Sequence, residues 1–109
     1  MGITNTELFT DRQNEIALIA KAFAHPARVA IIDYLLQSKS CINGHLVDEL
    51  GLAQATISQH LKELKNIGII KGTIDGVKVS YCIHPEKWEE IRTYFHRFFD
   101  QFEENNNCC

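Results

Sequence analysis

The sequence contains no long apolar run: no segment approaches the roughly 18 consecutive apolar residues that a membrane-spanning helix needs. The N-terminus also lacks the basic-then-apolar pattern of a secretory signal, so we expect a cytoplasmic protein with no membrane partner. There is no internal repeat, no low-complexity linker and no glycine-rich loop of the kind that cradles phosphates. No nucleophile stands with a base and an orienting group at a recognisable spacing, so we do not expect an enzyme.

Length and composition limit the architecture. The chain has 109 residues, of which 45% are hydrophobic, enough for one modest core but small enough to gain stability from dimerisation. We predict a single domain over residues 1–109, with an N-terminal arm at 1–10 and a cysteine-containing tail at 105–109. In a reducing cytoplasm the four cysteines are expected to be thiols, metal ligands or redox sensors rather than structural disulfides.

Residues 46–64 have the pattern of two short amphipathic helices joined by a turn, because apolar residues recur at helical spacing in each half. Gly51 stands where the first helix must end and turn. The stripes expected to pack together are Leu46, Val47 and Leu50 in the first helix and Ile57, Leu61 and Leu64 in the second. This pattern predicts a helix-turn-helix.

The second of these helices leaves a polar face. Its outward residues are predicted to be Gln54, Thr56, Ser58, Gln59, Lys62 and Lys65. Short amides and hydroxyls near the start of the helix can hydrogen-bond base edges in a major groove, and the lysines further along can meet phosphates. The alternative interpretation is an ordinary solvated face beside a packed helix pair.

A β-hairpin is predicted directly after the helices. Asp75-Gly76 separates two β-branched, partly alternating runs at 69–74 and 77–83, which is a strong hairpin signal. A helix-turn-helix followed by a hairpin is a winged helix. Lys71 and Lys78 would then lie on the wing, where they can contact the phosphate backbone.

The charge of the chain is unevenly distributed. The formal net charge is -3, yet the segment 54–80 contains four lysines and only two acidic residues. The predicted DNA-reading region is therefore locally positive, and the global charge does not exclude nucleic acid. The expected fold class is mainly α with a β-hairpin wing.

Helical segments flank this unit on both sides. Thr10 to Gln13 forms a capping box, which predicts a first helix from the low teens to Ala24. Pro26 can occupy the first turn of a second helix, and His84-Pro85 opens the last helix in the same way. The core stripe predicted for the second helix is Val29, Ile32, Leu35 and Leu36.

The last helix carries an aromatic seam. Its members alternate at three- and four-residue steps and are Trp88, Ile91, Phe95, Phe98 and Phe102. Such stripes usually belong to a core, but this one is wider than a small domain needs, and the first helix also offers two apolar faces. A homodimer formed through the first and last helices is the better explanation.

The order of these motifs resembles the ArsR/SmtB family of metal- and thiol-responsive winged-helix repressors, over roughly residues 15 to 100. The segments that carry the resemblance are Ala24–Ile32, Leu46–Leu50, Ser58–Leu61, Gly68–Ile70, Gly76 and Tyr81. The resemblance implies a dimer that binds an imperfect palindrome in double-stranded operator DNA and leaves it when an inducer binds.

By position, the resemblance places Gln54, Thr56, Ser58, Gln59 and His60 on the recognition helix. The sequence departs from the family pattern at two points. Ala53 stands where a serine or threonine usually caps this helix, and Ile74-Asp75 replaces the common wing-tip arginine. Both departures suggest weaker or differently distributed contacts to the DNA backbone.

The inducer site implied by the resemblance uses thiols. Cys41 lies where arsenic-sensing members begin a Cys-Val-Cys box, but the second thiol of that box is replaced by Asn43, and the chain ends in Cys108-Cys109. Three thiolates suit trivalent arsenic or antimony, and a tail of five residues spans at most ~18 Å. We therefore expect As(III) or Sb(III) as the inducer at Cys41, Cys108 and Cys109, with no obligatory cofactor.

Other uses of these residues stay open. Cys41 and a tail cysteine can instead form a disulfide or polysulfide bridge under oxidants or reactive sulfur. A winged helix used only for protein contacts is a further alternative, which the outward polar set disfavours. Cys82 is expected to be sheet packing. The spacing of His84 and His96 does not match a zinc site, and His96 with Asp100 is interpreted as a solvated i, i+4 pair.

Overall fold

The computed structural model describes residues 8–38, 41–43, 50–73 and 80–102. Within them lie α1 (Asp11–Ala22), α2 (Pro26–Ser38), β1 (Ile42–Asn43), α3 (Gln54–Ile67), β2 (Ile70–Thr73), β3 (Ser80–Ile83) and α4 (Pro85–Phe99). The predicted fold class, mainly helical with an antiparallel β wing, is confirmed. The helix predicted over 46–50 falls outside the described residues except for Leu50. None of the described helices is long and apolar enough to cross a membrane.

The capping box predicted at the start of α1 is present. The Thr10 hydroxyl accepts from the Gln13 backbone N–H, and the Gln13 side chain accepts from the Thr10 N–H, both at 3.0 Å. The helix ends at Ala22 rather than at the predicted Ala24. His25 precedes a proline, which disfavours helical backbone at that position, so the chain leaves the helix before it. The Nδ1 of His25 instead accepts from the Ala27 N–H at the start of α2.

The ends of α3 and α4 also follow from local sequence. Ala53 precedes α3 and makes no side-chain cap hydrogen bond, as its type requires. Gly68 ends α3 with φ of 100°, a left-handed conformation that suits glycine. At α4, the Nδ1 of His84 accepts from the Lys87 N–H, and Pro85 occupies the first turn. The predicted opening of the last helix is confirmed.

The three strands form one antiparallel sheet in the order β1-β3-β2. Tyr81 in the central strand β3 pairs with Ile42 of β1 and with Gly72 of β2. The sequence predicted only β2 and β3, so β1 is an additional strand. The predicted Asp75-Gly76 turn and Lys78 lie outside the described residues.

Gly72 permits the close approach of β2 to β3. Its φ is 131°, and a Cβ at this position would collide with the carbonyl oxygen of Ser80 and the backbone of Tyr81. Residues other than glycine rarely adopt this backbone conformation. Both the φ angle and the lack of space therefore require glycine. The wing therefore depends on this position.

The core lies between the helices and the inner face of the sheet. Its buried apolar members are Ile19, Ala22, Ile31, Ile32, Leu35, Ile57, Leu61, Leu64, Ile69, Ile70, Tyr81 and Ile91. Residues from each of the four described helices and from both wing strands contribute, so the recognition helix and the wing share one core. Burial raises the pKa of Tyr81 to about 12, which keeps its phenol neutral.

The predicted core stripe of α2 is wrong in part. Ile32 and Leu35 are buried, but Val29 and Leu36 are 40% and 43% exposed, and Ile31 is fully buried instead. Alanine and isoleucine occupy positions 30 and 31, so α2 is apolar on more than one face and its spacing does not select one. The face that packs against α3 and β3 determines which residues are buried.

Candidate nucleic-acid interface and thiol residues

The recognition helix α3 presents a polar face to solvent. Its exposed side chains include Gln54, Thr56, Gln59, Lys62 and Lys65, and Ser58 is half-buried. The Gln54 amide donates to the Ser58 hydroxyl at 3.3 Å. The opposite face buries Ile57, Leu61 and Leu64. Amides and a hydroxyl toward the start of the helix and lysines toward its end give one surface able to contact base edges and phosphates.

His60 does not belong to this polar face, so its predicted place among the DNA-contacting residues is corrected. Its side chain is only 7% exposed. The Nε of Arg28 donates to its Nδ1 at 3.2 Å, and the His25 ring lies 4.5 Å away between centroids. Burial, with the neighbouring charges of His25 and Arg28, lowers the pKa of His60 and favours the neutral imidazole that can accept from Arg28.

His60 therefore positions the recognition helix against the start of α2. The signal for this role is present in the sequence: Ile57, His60, Leu61 and Leu64 follow the i, i+3, i+4, i+7 pattern of the buried stripe. The spacing predicts burial, whereas the polar residue type suggested exposure.

Lys71 is the wing lysine within the described residues. It is exposed on β2 and pairs across the sheet with Cys82 of β3. Its ammonium lies on the face of the sheet opposite the buried Tyr81, because successive side chains of a strand alternate. Lys71 and the lysines of α3 can contact DNA phosphates while the amides and hydroxyls of α3 contact base edges.

The thiol residues are placed unequally. Cys41 is exposed beside β1, and Cys82 is half-buried on β3; Cys108 and Cys109 lie outside the described residues. Cys82 lies on a strand of the wing, as predicted. The neighbouring Cys41 thiol and burial raise the pKa of Cys82, and the nearby Lys71 offsets part of this rise.

The described part of the chain contains no cluster of metal-ligating side chains. No group of three or more His, Cys, Asp or Glu side chains there has an arrangement that could hold a metal ion. His96 and Asp100 form the predicted i, i+4 pair, with Nε2 and Oδ2 3.0 Å apart and both side chains exposed. A three-thiol site would therefore need the tail cysteines.

The terminal helices α1 and α4 pack antiparallel. Phe23 at the end of α1 meets Trp88 at the start of α4, with ring centroids 6.4 Å apart, and Arg12 at the start of α1 lies over the ring of Phe98 at 5.9 Å. Lys87 contacts Glu15 at 2.7 Å, and its methylene carbons lie beside Gly68 at the end of α3. The terminal pair is thus joined directly to the recognition helix.

This helix pair exposes a large apolar surface, the terminal-helix face. It comprises Leu8, Phe9, Leu18, Phe98, Phe99 and Phe102, each between 45% and 73% exposed. The antiparallel packing brings the residues preceding α1 to the same end as the last residues of α4. An apolar groove of about 500 Å³, lined by Phe23, Trp88, Phe95 and Phe99 among others, adjoins it. Large exposed apolar side chains beside an apolar groove indicate an interaction site.

A helix with a polar and basic face, followed by an antiparallel wing, is the arrangement found in winged-helix DNA-binding proteins. Residues 25–71 match the family described as bacterial regulatory protein, arsR family. The chain belongs to this family, whose members are DNA-binding transcriptional regulators and not enzymes.

Individual relatives and a solved structure are consistent with this family assignment. The chain is 36% identical over 81 residues to an HTH-type transcriptional regulator of Methanocaldococcus jannaschii, covering 74% of this chain and 91% of that one. It is 41% identical over 63 residues to the HTH-type transcriptional repressor SmtB of Mycobacterium tuberculosis, covering 58% of this chain and only 46% of the relative. The structure of HlyU from Vibrio cholerae superposes with a TM-score of 0.64 at 24% identity, covering 84% and 98% of the two chains, and so shares the fold.

Proposed function

We propose that this protein is a homodimeric repressor that binds double-stranded operator DNA through α3 and the wing and leaves it when an inducer binds. The observation that carries the proposal is the polar face of α3, with exposed amides, an exposed hydroxyl and exposed lysines, opposite a buried apolar stripe. The relative from Mycobacterium tuberculosis carries the name of a repressor, which supports the same direction of regulation here.

The terminal-helix face supports the homodimer. Large aromatic side chains exposed on α4 are unfavourable in water. Moving such a side chain from full exposure to full burial contributes about 1.5–3 kcal/mol, and covering a partly exposed one contributes a share of this. A second copy of the same face would cover them through an isologous interface. Two recognition helices would then read successive major grooves about 34 Å apart, as a palindromic operator requires.

Gln59→Ala tests base reading. Gln59 is exposed in the first half of α3, and a glutamine can make a bidentate contact to adenine. We expect affinity for the operator to fall about tenfold to a hundredfold, with nonspecific affinity unchanged. Fluorescence anisotropy on the DNA upstream of the gene and on a scrambled duplex measures both.

The matched control is Gln101→Ala, which removes an exposed glutamine amide just beyond the end of α4 and should change neither affinity. An equal loss of specific and nonspecific binding in Gln59→Ala would contradict the base-reading role. Preserved binding to both duplexes would contradict the proposed orientation of α3 on DNA.

The inducer is proposed to be a thiophilic ion such as As(III) or Sb(III), bound by Cys41, Cys108 and Cys109. Cys41 is exposed beside β1, immediately before the segment that leads into the helix-turn-helix, so a ligand there acts close to the DNA-reading unit. A coupling free energy of about 1.4 kcal/mol per site changes operator occupancy about tenfold. The alternative inducer is an oxidant or polysulfide that bridges Cys41 to a tail cysteine.

The inducer is identified by titrating the reduced protein on its operator with arsenite, zinc and a polysulfide. We expect arsenite to release the DNA, and Cys41→Ser or Cys108→Ser to retain operator binding but abolish release. Release by polysulfide alone, reversed by reductant, would replace the metalloid with the redox alternative. Normal arsenite release in Cys41→Ser would remove Cys41 from the site.

A further inference from the structure

The sheet register places two cysteines opposite each other. Ile42 pairs with Tyr81 and Asn43 with Ser80 in the antiparallel β1/β3 pair. Continuing this register by one residue sets Cys41 opposite Cys82. Directly opposed residues of a sheet project from the same face, and alternation along β3 puts this face opposite the buried Tyr81.

The spacing of such a pair suits a covalent bridge. Opposed residues of an antiparallel pair have Cα atoms about 4.5–5.5 Å apart, and disulfides span Cα separations of about 4.4–6.8 Å. A bridge therefore needs side-chain rotation rather than strand movement.

The surroundings favour reaction at this pair. Cys41 is exposed, so a small oxidant reaches it directly. Lys71 pairs with Cys82 from the other neighbouring strand and lies on the same face of the sheet. A row of thiol, thiol and ammonium thus crosses the three strands on one face of the sheet.

We propose that Cys41 and Cys82 form an oxidisable dithiol on the outer face of the sheet, which hydrogen peroxide closes to an intramolecular disulfide. The Cys41 thiolate attacks one peroxide oxygen, the O–O bond breaks and hydroxide leaves, giving a sulfenic acid. The Cys82 thiolate then attacks that sulfur and displaces the second hydroxide. Two thiols and one peroxide become one disulfide and two waters, and the two electrons pass from sulfur to peroxide.

The bridge has a consequence for induction, which rests on the proposed function. A disulfide consumes the Cys41 thiol, so the oxidised protein keeps operator binding but no longer responds to arsenite until it is reduced. The oxidation state of the dithiol would then determine whether arsenite releases the protein from its operator.

The test uses the full-length reduced protein treated with hydrogen peroxide, blocked with iodoacetamide and mapped by nonreducing peptide mass spectrometry. We expect one bridged peptide pair joining Cys41 to Cys82, lost on reduction. A Cys108→Ser/Cys109→Ser double variant is the matched control and should retain the bridge. In Cys82→Ser, dimedone should trap the sulfenic acid on Cys41.

The wild-type map decides the proposal without depending on any variant. A bridge from Cys41 to Cys108 or Cys109, a bridge between two protomers, or full alkylation of Cys41 and Cys82 after peroxide would overturn it. Failure of the reduced protein to bind operator or to release it with arsenite would instead count against the proposed function, because the mapped bridge does not depend on either property.

Discussion

Phe99→Glu is expected to convert the proposed dimer to a monomer and to weaken operator binding about a hundredfold or more. Phe99 is 65% exposed at the end of α4 and stacks on Phe95 with centroids 5.9 Å apart. A carboxylate there leaves the monomer folded, because the site is solvated. Placed in an apolar interface without a partner, it costs several kcal/mol at each of two symmetry-related positions.

Sedimentation velocity and operator anisotropy at matched concentrations measure this effect. Thr93→Glu is the control, since Thr93 is exposed on the same helix but on the other side from Phe95 and Phe99. The control should remain dimeric with wild-type affinity. A dimeric Phe99→Glu protein with normal operator affinity would show that the terminal-helix face serves another purpose.

Gly72→Ala is expected to destabilise the domain by about 2–4 kcal/mol and to lower the melting temperature by roughly 10 °C or more. The added Cβ meets the backbone of Ser80 and Tyr81, and the φ of 131° is itself strained for alanine. Because β3 cannot shift without exposing Tyr81, the strain cannot be relieved locally. Thermal unfolding followed by circular dichroism gives the measurement.

Gly51→Ala separates the two causes. Gly51 also has a positive φ, 70°, but no atom lies within 4 Å of an added Cβ. This variant should show only the backbone cost of about 1–2 kcal/mol. If both variants melt at the same temperature, the close approach of β2 to β3 does not contribute to stability.

Local features of this fold were predictable because their causes are local. The Thr10 capping box, the helix starts at Pro26 and Pro85 and the unfilled cap at Ala53 all depend on residues within one turn. The face of α2 that packs inward was not predictable from spacing, since α2 is apolar on more than one side. Its orientation is set by α3 and β3, which are distant in sequence.

The features of the candidate site also divide into those that local sequence predicts and those that depend on contacts between distant residues. The exposed polar face of α3 follows from periodicity, and so does the burial of His60 once spacing is given precedence over residue type. The strand β1 could not be predicted, because a two-residue strand gains its structure only by pairing with β3. The position of Cys41 opposite Cys82 follows from that nonlocal register and has no counterpart in sequence spacing.

Lys87 connects the packing of the terminal helices to the end of the recognition helix. Its ammonium contacts Glu15 of α1, and its methylene carbons lie beside Gly68, where the recognition helix ends. A change at Lys87 that shifts the terminal helices would therefore also shift the end of the recognition helix. A duplicated copy of the gene in which Lys87 changed would alter the packing of both regions in a single step.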